Sequence, residues 1–125
     1  MNVLYRELKW WYRWFCIRHR VVNDIKCRVP GSTVLLHHGL GVTMNPFVVL
    51  GENVTVYPLV TLGTRRSGGD APVIGDGVVL MTGCCVLGDV VVGRGCVVGS
   101  GAVVLSDVPD GAVVVGVPAK VVNGV

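Results

Sequence analysis

The side chains able to move a proton or attack a carbonyl are few in this chain. Its three histidines are His19, His37 and His38. His19 sits among basic residues and reads as a solvated side chain. His37 and His38 are adjacent, and in an extended segment neighbouring side chains face opposite sides. A two-histidine metal site is therefore not expected, and no metal is. One of the pair can still be aimed outward at a cleft, where an imidazole exchanges protons near neutral pH. Arg65 and Arg66 begin a polar stretch, Thr64-Arg65-Arg66-Ser67-Gly68-Gly69-Asp70-Ala71-Pro72. Two guanidiniums there suit a phosphate or another anion, or are plain solvated charges. Cys84 and Cys85 are conceivable covalent nucleophiles, but no histidine falls near them in the repeat register, so that role is not expected.

Something must position these groups, and the spacing of apolar residues says what. Leu36, Val42, Val48, Val54 and Val60 recur every six residues. The count resumes at Val73, Val79, Cys85, Val91, Val97 and Val103. A helix repeats near 3.6 and a half-buried strand at 2. A six-residue period belongs to hexapeptide solenoids, in which each hexad forms one side of a coil and stacked coils share one interior. Three hexads make a coil, with the first expected from Leu36 to Asn53 and the second from Val54. Glycines supply tight corners. The gap from Val60 to Val73 reads as a loop over 64–72 that leaves the wall, a usual place for ligand contacts. Beyond Pro109 the repeat fades into a tail.

Two units follow: residues 1–29, a basic, aromatic helix and linker, and residues 30–125, the solenoid with its loop and tail. Over 2–22, Leu4, Leu8, Trp11, Phe15 and Val22 fall on one side of a helix; Asn2, Arg6, Lys9, Arg13 and Arg20 fall on another. Such a helix packs on its own coil or a neighbouring subunit, or makes peripheral contact with a membrane. Residues 23–33 read as a linker.

The bulk numbers agree with one domain. The chain has 125 residues, 51% hydrophobic and 15% charged, with a formal charge of +3. A chain this small and apolar buries surface against copies of itself or sits on a membrane. The positive charge is local: residues 1–29 hold seven Lys/Arg against Glu7 and Asp24, and the rest holds four against six acidic residues. No basic stripe follows the repeats, so nucleic acid is not an expected partner. No secretory signal is read, and a cytoplasmic, or membrane-peripheral, location is expected. The five cysteines are odd in number, lack metal spacing and read as reduced thiols.

Four segments occur in order: Leu36-His37-His38-Gly39-Leu40-Gly41-Val42, Val60-Thr61-Leu62-Gly63, Ser100-Gly101-Ala102-Val103-Val104-Leu105 and Gly116-Val117-Pro118-Ala119-Lys120-Val121-Val122. In these the chain resembles the hexapeptide-repeat acyltransferases, within them the serine acetyltransferase-like branch, which includes O-acetyltransferases of capsular and exopolysaccharide synthesis. The resemblance covers about residues 30–122. It implies an all-β solenoid, a left-handed parallel β-helix, against the usual handedness of parallel crossovers. It also implies a homotrimer with acetyl-CoA as acyl donor between adjacent subunits.

Residue by residue, the resemblance places the catalytic histidine at His38, with His37 beside it on the acceptor side. A carboxylate partner falls near Asp24, one residue short of the family's spacing. Gly63 and Thr64 border the pantetheine channel, with a backbone N–H near Gly63 a candidate oxyanion donor. Thr82, Gly83 and Ser100 line the wall further along. Lys120 meets a nucleotide phosphate or is a solvated tail charge, and Arg65 and Arg66 reach phosphate or an anionic acceptor. The serine enzymes carry Gly-Asp-Arg-His-Pro in the loop, and this chain has Gly69-Asp70-Ala71-Pro72. That difference and the short N-terminus make a sugar or polysaccharide hydroxyl the expected acceptor. The alternatives are serine O-acetylation for cysteine biosynthesis and a non-catalytic scaffold.

Overall fold

Valine-rich pairs of residues, each followed by a turn, can form only very short strands, and strands this short are stable only when stacked. The computed structural model describes residues 23–123 and shows that arrangement. Fourteen strands of two to four residues run in order: β1 (Asp24–Ile25), β2 (Val34–Leu35), β3 (Thr43–Met44), β4 (Val49–Leu50), β5 (Thr55–Val56), β6 (Thr61–Gly63), β7 (Val73–Ile74), β8 (Val79–Leu80), β9 (Cys85–Leu87), β10 (Val91–Val92), β11 (Val97–Val98), β12 (Val103–Val104), β13 (Val113–Val115) and β14 (Lys120–Asn123). They form a three-faced parallel β-helix. Face A stacks β1, β3, β6, β9 and β12; face B stacks β2, β5, β8, β11, β13 and β14; face C stacks β4, β7 and β10. Every pairing is parallel except β13 with β14, which close face B as an antiparallel hairpin. The expected helix over 2–22, and any membrane contact it makes, lies outside the described residues. Among the described residues no helix is long and apolar enough to cross a membrane.

Registers reveal how the coils differ in length. Thr43 pairs with Thr61 and Cys85 with Val103, eighteen residues apart each time. Thr61 pairs with Cys85, twenty-four apart, so the loop over 64–72 is one inserted hexad. Val34 pairs with Thr55, twenty-one apart, so three extra residues enter at the His37–His38 turn.

The interior is built from alternate residues. Val42 and Met44, Val54 and Val56, Val60 and Leu62, Val78 and Leu80, and Cys84 and Val86 are at most 1% exposed. A two-residue strand presents its first residue outward; its second residue and the residue before it point inward. This corrects the count after the loop. Val73, Val79, Cys85, Val91, Val97 and Val103 are the outward positions, and Val73 and Val91 are exposed. The inward series runs from Val60 to Val78, Cys84, Val90, Cys96 and Ala102 without a slip. Leu36 does not start it either, because it lies in a 3-10 turn.

The linker expected over 23–33 instead supplies a first rung. Asp24 and Ile25 pair with Thr43 and Met44, and Cys27 and Val29 are buried. At the corners, the next coil's backbone fills the place of a side chain. A Cβ on Gly75 would sit 2.9 Å from the backbone of Val92, Gly93 and Arg94.

The four described cysteines are free thiols, three of them buried. Burial, aided by the neighbouring Cys85, pushes the Cys84 thiol up to about 12 from 9.0. The unfolded chain therefore loses this proton first. Stability should be full below about pH 9 and fall as pH rises from there toward 12. Urea midpoints measured at about pH 8 and about pH 10.5 should drop more in the wild type than in Cys84→Ala.

Candidate active site at the A–B corner

The histidines sit where the chain turns from face B to face A, and their backbone conformation is unusual. His37 and His38 both lie in the left-handed region, at φ 51° and 58°, followed by Gly39 at 71°. Consecutive non-glycine residues there are costly and persist only when their surroundings hold them; such strain gathers at functional sites. This turn is held from several sides. The Leu40 N–H donates to the His37 carbonyl at 3.2 Å, and the Val42 N–H to the Gly39 carbonyl at 3.0 Å. The Leu59 N–H of the next coil donates to the Leu40 carbonyl at 2.9 Å. The Asn23 side-chain amide donates to the His38 carbonyl at 2.9 Å. The alternation expected for an extended His-His pair does not apply, because the segment is a turn; both histidines are exposed.

Asn23 is the residue that sequence reasoning missed. It precedes Asp24 and packs against Gly39, where a Cβ would lie 3.1 Å from its amide. A contact spanning fifteen residues leaves no local signal. Asp24 itself is ladder-bonded opposite Thr43, and its carboxylate is 3.4 Å from the Lys26 ammonium. Both side chains of that pair are over half exposed, so it adds little stability.

The same corner carries most of the expected donor-binding residues. Pro58, Thr82 and Ser100 stack on it in successive coils, with the Gly83 N–H donating to the Pro58 carbonyl at 3.1 Å and the Gly101 N–H to the Thr82 carbonyl at 3.0 Å. Thr82 and Ser100 are exposed. At the far end the tail folds back over it: the Val103 N–H donates to the Gly116 carbonyl at 3.0 Å and the Ala119 N–H to the Val103 carbonyl at 2.8 Å. Lys120 therefore leaves this corner into β14, exposed to solvent.

Gly63, Thr64, Arg65 and Arg66 are placed elsewhere. They lie at the A–C corner, across face A from the histidines. Gly63 sits in the ladder opposite Leu87, and its carbonyl accepts the Gly88 N–H at 2.9 Å. The Arg65 stem lies on Gly88 so closely that a Cβ there would meet its Cδ at 2.7 Å. Arg65, Arg66, Asp70 and Asp89, with Gly69 and Gly88, line a cleft of about 220 Å³. No ion pair joins these four charged side chains to one another. Among the described residues no cluster of His, Cys, Asp and Glu could hold a metal ion.

Comparison with known proteins fits this picture. Residues 71–106 match the bacterial transferase hexapeptide (six repeats) family. Serine acetyltransferase 1, chloroplastic, of Arabidopsis thaliana is 46% identical over 96 residues, covering 75% of this chain and 31% of the relative. The crystal structure of Neisseria gonorrhoeae serine acetyltransferase in complex with serine is 40% identical at a TM-score of 0.67, covering 71% of this chain and 36% of that one. Serine acetyltransferase from Brucella abortus strain S19, in complex with coenzyme A, is 33% identical at a TM-score of 0.70, covering 81% and 39%. The chain thus spans well under half the length of these relatives. The solenoid is a left-handed β-helix, as the resemblance implied. The chain is a hexapeptide-repeat protein of the fold found in serine acetyltransferases. The expected sugar or polysaccharide acceptor finds no support among these relatives, all of them serine enzymes.

Proposed function

We propose that this protein is an acetyl-CoA-dependent O-acetyltransferase whose acceptor is the hydroxyl of serine or a similarly small amino acid. His38 is the general base. Its imidazole takes the proton of the acceptor hydroxyl as the oxygen attacks the thioester carbonyl. The C–S bond then breaks, and the departing CoA sulfur takes the proton back. The strained turn that fixes His38 supports this role, because a base must be positioned before it can act.

The donor runs along the A–B corner, past Thr82, Gly83 and Ser100 toward Lys120, with Gly63 and Thr64 bordering its pantetheine end from the A–C corner of an adjoining copy. All six acidic residues beyond residue 30 stand on the other two corners: Asp70, Asp89 and Asp107 on the A–C corner, and Glu52, Asp76 and Asp110 on the B–C corner. Beyond the first rung, where Asp24 lies against Lys26, the A–B corner therefore has no carboxylate from the coils to repel a phosphate-bearing ligand.

The acceptor reading rests on the cleft lined by Arg65, Arg66, Asp70 and Asp89. Charges of both signs face one small space without neutralising one another, which suits a zwitterion: guanidinium for carboxylate, carboxylate for ammonium. In one protomer this cleft and His38 are separated by face A. A cyclic trimer that sets one protomer's A–C corner against the next one's A–B corner joins them, with His37 on the acceptor side. From the first rung it is Asn23 that holds the turn, through the His38 carbonyl; the Asp24 carboxylate, 3.4 Å from the Lys26 ammonium, reaches the imidazole only by leaving that partner.

A sugar hydroxyl is the second reading, favoured by Ala71 standing alone between Asp70 and Pro72, where the serine enzymes have arginine and histidine. The deciding assay follows CoA thiol release with acetyl-CoA and L-serine, against a panel of sugars. Release with serine, reduced by Arg65→Ala or Arg66→Ala chiefly through KM, is the expected result. Release with sugars alone would overturn the acceptor, and none with any acceptor would overturn the enzyme.

A further inference from the structure

The outward positions of face C are all valines. Val49, Val73 and Val91 lie in register on neighbouring strands, 54%, 39% and 48% exposed. Adjacent strands are about 4.8 Å apart, so the three side chains form a continuous apolar stripe. Phe47, 77% exposed, stands at its A–C edge. The corners bounding this face hold every carboxylate of the coils beyond residue 30. These six are opposed there by Arg65 and Arg66 on one corner, by Arg94 on the other, and by Arg28, which lines a pocket with Val49 and Glu52, so six acids face four bases. An apolar stripe rimmed by net negative charge is a surface for a basic amphipathic element.

The sequence of residues 2–22 has the pattern of such an element. Leu4, Leu8, Trp11 and Phe15 share one side of a helix, and Arg6, Lys9, Arg13, Arg18 and Arg20 stand against the single acid Glu7. As a helix, residues 2–16, which hold that apolar side, are about 22 Å long, enough to cross a stripe of three strands, and residues 17–22 remain as the connection. We propose that face C is the docking surface for residues 2–22 of this chain, aromatic side inward on the valines and basic side toward the flanking carboxylates. The described chain starts at Asn23 on the A–B corner, which does not border face C. About six extended residues span about 20 Å, and that lets the segment round one face or cross to an adjoining copy.

The chain supplies its own reporter, since its three tryptophans, Trp10, Trp11 and Trp14, all lie in this segment. In the full-length protein, Val73→Lys puts a like charge in the middle of the stripe at an outward position. Tryptophan emission should move to longer wavelength and acrylamide quenching should rise, with far-UV circular dichroism unchanged. Val73→Thr, which keeps the β-branched shape, should give the same shift to a lesser degree. Val34→Lys, at a 48% exposed position on face B, should give none.

Unchanged emission in folded Val73→Lys and Val73→Thr would overturn the proposal. So would a loss of oligomer mass in these variants with emission unchanged, which would make the stripe a contact between coils of separate copies. Solvated emission in the wild type that shifts to the blue only on adding phosphatidylserine vesicles would assign the segment to a membrane instead.

Discussion

His38→Asn should lower acetyl-CoA-dependent thiol release by about 10²–10⁴-fold, the usual contribution of a positioned general base. Asparagine is the informative replacement. His38 has φ 58°, a region that asparagine enters readily and alanine does not. An alanine variant would mix lost chemistry with added backbone strain; asparagine removes the base alone. The melting temperature should stay near the wild-type value, and the loss should fall on kcat rather than on the KM for acetyl-CoA. His37→Asn, one residue away in the same turn, should alter the acceptor KM and leave kcat largely in place. If both variants lose activity equally, the turn matters as a shape and His38 is not the base. If neither does, the corner is not the catalytic centre.

Leu80→Ala should cost about 2–5 kcal/mol in urea unfolding, whereas Val79→Ala should cost less than about 1 kcal/mol. The two residues are adjacent in β8 and both apolar. Leu80 is fully buried, stacked in register between Val56 and Val98 of neighbouring coils. Removing three carbons there leaves a cavity that parallel strands on both sides cannot close. Val79 points outward and is half-buried, so its truncation loses little beyond strand preference. Equal costs would mean that the inward and outward positions have been exchanged. In a solenoid each coil touches only its neighbours, so the Leu80 defect should loosen the middle coils first. Hydrogen exchange should quicken around Val56, Leu80 and Val98 before it does at the ends.

Much of the candidate site was legible in the order of motifs, and the histidine turn was found that way. Asn23 was not, because its hydrogen bond to His38 joins residues fifteen apart. Nor was the shape of the turn itself. A histidine pair between apolar residues looks like extended chain, and only the three residues added to that coil force it into the left-handed region.

Periodicity alone established that this chain is a hexad solenoid with an outward loop before Val73, since no other regular structure repeats every six residues. It left the phase open after the loop. Before the loop half of the outward positions are threonines, Thr43, Thr55 and Thr61, each following an inward valine. After it both positions are apolar, as in Val78-Val79, Cys84-Cys85 and Val90-Val91, and a pattern of hydrophobicity cannot choose between them. Stacking chose, because the ladder bonds of each coil to the next admit one phase. The same stacking gathers His37, His38, Thr82, Ser100 and Lys120 on one corner and the six acids beyond residue 30 on the other two. Which residues share a corner depends on coils that range from sixteen residues (Val97 to Val113) to twenty-four (Thr61 to Cys85), aligned by their hydrogen bonds, and that alignment belongs to the folded chain.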